Sequence, residues 1–73
     1  MKNNLANMLK QERKKKNITQ TELAKILNVS QRAYSNYERG DVEPSIDTLI
    51  NMADYFGMPI DLLVGRYELR KNN

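Results

Sequence analysis

Apolar residues recur along this chain every three or four positions, and residues that stop helices stand between the recurrences. Leu5, Met8 and Leu9 form a first stripe, so a helix is expected from about Asn4 to Lys16. Its last turn, Lys14-Lys15-Lys16, carries the sign that suits a helix C-terminus, and Asn17 can supply the left-handed residue that ends it. Thr19-Gln-Thr-Glu22 is a capping box that opens a second helix, followed by Leu23, Ala24, Ile26 and Leu27 and stopped by Asn28. Ser30 caps a third helix and Gly40 closes it. Asp41-Val-Glu-Pro44 reads as a loop, because the residue before proline is pushed out of helical geometry. Ser45 caps a fourth helix reaching about Phe56, with Ile46, Leu49, Ile50, Ala53 and Phe56 as its expected buried face and Gly57 at its end. Pro59 can open a short fifth helix through Leu63 or Val64. Period-2 alternation and hairpin dipeptides are missing. The expected class is all-α: a compact five-helix domain over residues 1–65 and a polar tail, RYELRKNN, over 66–73.

The third helix has two unlike sides. Gln31, Arg32 and Asn36 can read a hydrogen-bonding surface, whereas Ala33, Tyr34 and Tyr37 need cover. Charge sharpens this contrast. The net charge is +3, yet residues 1–40 hold nine Lys/Arg against three Asp/Glu, while residues 41–73 hold three against six. A basic first half and an acidic second half suggest one face for a polyanion and another for a different partner.

Composition removes other classes. The 73 residues include no histidine and no cysteine, so the commonest general base, thiolate metal sites and disulfides are all absent. No carboxylate pair or cluster suggests a reaction centre, and an enzyme, a cofactor and a metal site are not expected. Nothing approaches 18 consecutive apolar residues, and no signal-peptide apolar core is present, so a cytoplasmic protein without a membrane partner is expected.

Two helices joined by a three-residue turn, with a polar outer face on the second, form a helix-turn-helix at about residues 19–39. Over about residues 5–64 the sequence also resembles the phage-repressor type of helix-turn-helix proteins, the lambda-repressor-like or Cro/XRE family. The residues that carry the resemblance are Arg13, Thr19-Gln20, Leu23-Ala24, Val29-Ser30, Glu38, Gly40, Pro44-Ser45 and Ile60-Asp61 with Leu63. It implies a sequence-specific binder of double-stranded DNA that regulates transcription, with a repressor on an inverted-repeat operator as the expectation.

In this docking mode the first turn of the second helix enters the major groove. The resemblance places base contacts at Gln31, Arg32 and Asn36, where Gln and Asn suit adenine and Arg suits guanine. It implies a phosphate contact for Gln20, at the N-terminus of the second helix; by position, Thr19 and Ser30 are expected helpers and Arg39, at the end of the third helix, an expected clamp on the backbone. It also implies an ion pair between Arg13 and Glu38 that joins the first and third helices and keeps the acid away from phosphate.

The acidic Asp41-Val42-Glu43 departs from the family, whose loop here is often basic. A single domain covers few base pairs, so pairing on half-sites is expected, with Tyr55, Met58, Leu62 and Val64 as the candidate homodimer patch. No ligand-sensing domain or small-molecule substrate is expected. The alternative is an antitoxin or accessory module that uses the C-terminal apolar patch to hold a protein partner.

Overall fold

The computed structural model describes residues 2–63. Over that span the chain forms α1 (Lys2–Lys15), α2 (Gln20–Leu27), α3 (Gln31–Arg39), α4 (Ile46–Phe56) and α5 (Ile60–Leu63), and no strand. The tail expected at 66–73 and the Val64 end of the fifth helix lie outside the described residues.

Local chemistry sets the helix ends. The Thr19 hydroxyl accepts from the Glu22 backbone N–H at 3.1 Å, while the Thr19 N–H donates to Glu22 Oε1 at 2.8 Å, so both halves of the capping box are made. Ser30 and Ser45 accept from the N–H groups of Ala33 and Thr48 in the same way. Asn17, Asn28, Gly40 and Gly57 all stand at positive φ, between 60° and 79°. The next residue after each, Ile18, Val29, Asp41 and Met58, donates its N–H to the carbonyl five positions back. The first four helices therefore close with the same left-handed motif, which satisfies carbonyls that would otherwise be orphaned. Ile18, Val29 and Met58 then pack on the core, as such motifs favour. Asp41 is exposed, and its carboxylate goes elsewhere.

The core draws on every helix. Leu5 and Leu9 meet Leu23, Ala24 and Leu27, Tyr34 and Tyr37, Met52 and Ala53, and Leu63. Leu9, Leu23, Tyr34, Met52 and Leu63 are fully enclosed. Full burial of one such side chain contributes roughly 1.5–3 kcal/mol. The rings of Tyr34 and Tyr37 meet edge to face, with centroids 6.3 Å apart. Ala24, only 2% exposed, sits between α2 and its neighbours where a larger side chain would wedge them apart.

The buried face of α4 differs from the expected one. Ile46 is 69% exposed and Ile50 41%, whereas Met52 is wholly buried beside Ala53. Leu49 and Phe56 pack against the core as expected. Two interleaved stripes fit helical spacing: 46-49-50-53 and 49-52-53-56. Periodicity accepts both, and the packing of α4 on α2 and α5 selects the second. Ile26 of α2 is likewise outside, at 48% exposure. No described helix is long and apolar enough to cross a membrane.

Candidate nucleic-acid interface

Helical geometry divides α3 as its sequence suggests. Gln31 and Arg32 are exposed in its first turn, and Asn36 is half-buried one turn beyond Arg32. Tyr34, Tyr37 and Glu38 are buried against the rest of the domain. Among the described residues, no hydrogen bond or ion pair engages the side chains of Gln31 or Arg32. Two long polar side chains are thus exposed at the start of a helix whose buried side is fixed.

Glu38 is what fixes it. The residue is 6% exposed and its carboxylate accepts from three helices. Arg13 Nε donates to Oε2 at 2.6 Å and Arg13 Nη2 to Oε1 at 3.3 Å. The Tyr34 hydroxyl donates to Oε2 at 2.6 Å, and Gln20 Nε2 donates to Oε1 at 3.0 Å. Arg13 also donates from Nη1 to the Ile18 carbonyl at 2.9 Å, so the same guanidinium holds the α1–α2 turn. Burial by itself would raise the Glu38 carboxyl, but hydrogen bonds from Arg13, Tyr34 and Gln20, with the charge of Arg13, outweigh it and hold the group below its ordinary value. Burial, then the bond to Glu38, push the Tyr34 hydroxyl far up. The Arg13 guanidinium is raised chiefly by its hydrogen bond to Glu38. Among the described residues, every buried side-chain polar atom has a partner.

The carboxylate is thus a joint between α1, α2 and α3. From the sequence, Arg13 alone is its expected partner. Tyr34 stands four residues before Glu38, and that i, i+4 spacing with a terminal hydroxyl was a usable signal. Nothing local pointed from Gln20 to a residue 18 positions away.

Gln20, expected at phosphate, is held on both sides of its amide. The Ser35 hydroxyl donates to Gln20 Oε1 at 2.6 Å while Nε2 reaches Glu38. A primary amide has two N–H donors, so one remains for an external acceptor, and its direction is set by α3. Thr19 and Ser30 use a hydroxyl lone pair in capping and retain their O–H donors.

At the far end of α3, Arg39 does not stand free. Its Nε donates to Asp41 Oδ2 at 3.0 Å, and its Nη2 donates to Asn36 Oδ1. The acid that departs from the family pattern therefore sits on the expected clamp. Glu43 is exposed, and Pro44 beside it is buried.

Of the expected pairing patch, Tyr55, Met58 and Leu62 are each partly buried within the chain, and Val64 lies outside the described residues. Lys16 Nζ lies 5.0 Å from the Tyr55 ring centroid, so a cation covers one ring face, and Phe56 meets the ring edge-on.

Comparison with known proteins fits this arrangement. A helix-turn-helix family model matches residues 9–63. The HTH-type transcriptional regulator ImmR of Bacillus subtilis is 38% identical over 69 residues, which cover 94% of this chain and 54% of that protein. The cryptic phage CTXphi transcriptional repressor RstR of Vibrio cholerae is 35% identical over 72 residues, covering 99% of this chain and 61% of RstR. The chain spans about half the length of the curated relatives it matches. A transcriptional regulator from Listeria innocua, solved by crystallography, superposes with a TM-score of 0.80 at 36% identity, over 84% of this chain and 57% of that one. With its capped α2, three-residue turn and half-polar α3 in place, the chain belongs to the Cro/C1-type (XRE) helix-turn-helix family.

Proposed function

We propose that this protein binds double-stranded DNA sequence-specifically and regulates transcription as a repressor. The observation that carries the reading is the pair Gln31 and Arg32, exposed and unpartnered in the first turn of a helix whose buried side is locked by Glu38. A helix presented this way fits the major groove, with Gln31, Arg32 and Asn36 toward base edges. Phosphate contact falls to the first turn of α2: its free backbone N–H groups, the second N–H of Gln20 and the Thr19 hydroxyl, with Ser30 opening α3.

Pairing is part of the proposal. Tyr55, Met58 and Leu62 each keep some surface in water in the single chain, so a second copy has apolar area to cover. Two copies on half-sites one helical turn apart, about 34–36 Å, would read an inverted repeat.

The test is selection of bound sequences from a random duplex pool, followed by fluorescence anisotropy across a salt series. An inverted repeat should emerge, and affinity should fall linearly in log–log form with salt. Arg32→Ala should relax the choice at one base position and cost roughly 1–3 kcal/mol. A pool that yields no motif, with binding indifferent to salt, would overturn the proposal. Sedimentation with and without the selected duplex tests the pairing.

A further inference from the structure

Arg39, Asn36 and Asp41 form a chain of contacts at the C-terminal end of the reading helix. Arg39 Nε donates to Asp41 Oδ2 at 3.0 Å, with both side chains about 60% exposed, and Nη2 of the same guanidinium donates to Asn36 Oδ1. We propose that Arg39 is a positioning residue for base reading: held by Asp41, it takes the Asn36 oxygen, so Asn36 meets the groove with its N–H groups and selects guanine over adenine. The inference rests on the DNA-reading role of α3 proposed above.

Donor and acceptor chemistry carries the argument. A guanidinium has donors only, so the Asn36 atom facing it is the carbonyl oxygen. Two-point recognition of adenine requires an asparagine to accept from N6 and donate to N7. Here the acceptor is already engaged. The oxygen keeps a second lone pair, but an adenine N6–H approaching it would stand beside a guanidinium, donor against donor. The remaining groups in this corner, the Asn36 Nδ2 hydrogens and the unused Arg39 N–H groups, all seek acceptors. Guanine presents N7 and O6, two acceptors on one major-groove edge.

Asp41 gives the arrangement its direction. Without it, Arg39 at the helix end would swing to the nearest phosphate. With it, one edge of the guanidinium is spent on a carboxylate and another is turned toward Asn36. The acidic loop, in place of an often basic one, becomes the anchor of the reading residue. Asn36 and Arg39 are three apart and so share a face of the helix, while Asp41 reaches back from just beyond the Gly40 cap.

The experiment compares sequences selected from a random duplex pool by the wild-type chain, Asn36→Ala, Arg39→Ala and Asp41→Asn, with far-ultraviolet circular dichroism on each to verify the fold. The position that Asn36→Ala relaxes is the one Asn36 reads. The wild-type chain should hold guanine there, and replacing it by adenine should weaken binding about tenfold, as 7-deazaguanine should in part. Arg39→Ala should move the preference at that position toward adenine and leave the others unchanged. Asp41→Asn should move it the same way by a smaller factor. An unchanged motif with an even loss of affinity on all sequences, and a salt slope smaller by about one, would make Arg39 a phosphate clamp and overturn the inference. An adenine held by the wild-type chain would overturn it as well. Failure of the wild-type chain to select any motif would instead sink the DNA-reading proposal on which it stands.

Discussion

Gln20 Nε2 donates to Glu38 Oε1 at 3.0 Å, which ties the first turn of α2 to the last turn of α3. The two ends of the helix-turn-helix are thereby one hydrogen-bonded unit, with Arg13 of α1 behind it. Gln20, proposed for phosphate contact, and the buried Tyr34 share one carboxylate.

Glu38→Gln should destabilise the fold by about 3 kcal/mol, the low end for breaking a buried pair, because Arg13 keeps 14% of its side chain in water. Arg13→Met should cost a similar amount, and the double variant should cost less than the sum. Urea unfolding of the four proteins measures the coupling, and strict additivity would show that the pair contributes nothing specific.

Acid should weaken the fold through the same group. Glu38 is held below its ordinary value, so its contribution is complete above about pH 4.5 and drains away as pH falls through the lowered value. The melting temperature of the wild type should drop in that range, with a flatter profile in Glu38→Gln. At the other extreme, Tyr34 is raised, so its contribution holds below pH 10.0 and is lost as pH climbs further. Tyr34→Phe should remove that alkaline loss.

Ser35→Ala leaves the Gln20 amide held on one side only, by Glu38. On the DNA-binding reading, affinity should fall a few-fold, evenly across all sequences, because phosphate contacts position without specifying. The melting temperature should move far less than in Glu38→Gln. Ser35→Thr, which keeps the hydroxyl, should restore binding, and anisotropy on selected and scrambled duplexes separates these outcomes.

The two stripes on α4 predict opposite behaviour. Ile46→Ser should change stability by no more than about 0.5 kcal/mol, as exposed substitutions do. Met52→Ala should cost roughly 2–5 kcal/mol, since Met52 is fully enclosed. Thermal melts of the two variants decide between the stripes.

Asn28 holds the α2–α3 turn at φ 60°. Asn28→Ala should destabilise by about 1 kcal/mol, because a Cβ without a polar branch is strained there, whereas Asn28→Gly should be neutral or slightly favourable. Equal melting temperatures for all three chains would remove the left-handed cap from the account of the turn.

Most of the element structure was legible in the sequence because its causes are local. Thr19 with Glu22, Ser30 and Ser45 act within three residues, and Asn17, Asn28, Gly40 and Gly57 act through their own backbone angles. The division of α3 into a polar and a buried side was equally open, since it needs only the helical period. Tertiary structure decided what depends on helices meeting. It chose Met52 over Ile46 and Ile50, because two stripes satisfy the same period and only the neighbouring α2 and α5 distinguish them. It brought Gln20 to Ser35 and Glu38 across separations of 15 and 18 residues, and it seated Arg39 between Asn36 and Asp41. Spacing along the chain tells which way a side chain leaves its own helix. Which acceptor it finds is settled by how closely the helices approach, where an unmet donor or charge out of reach of water would be costly.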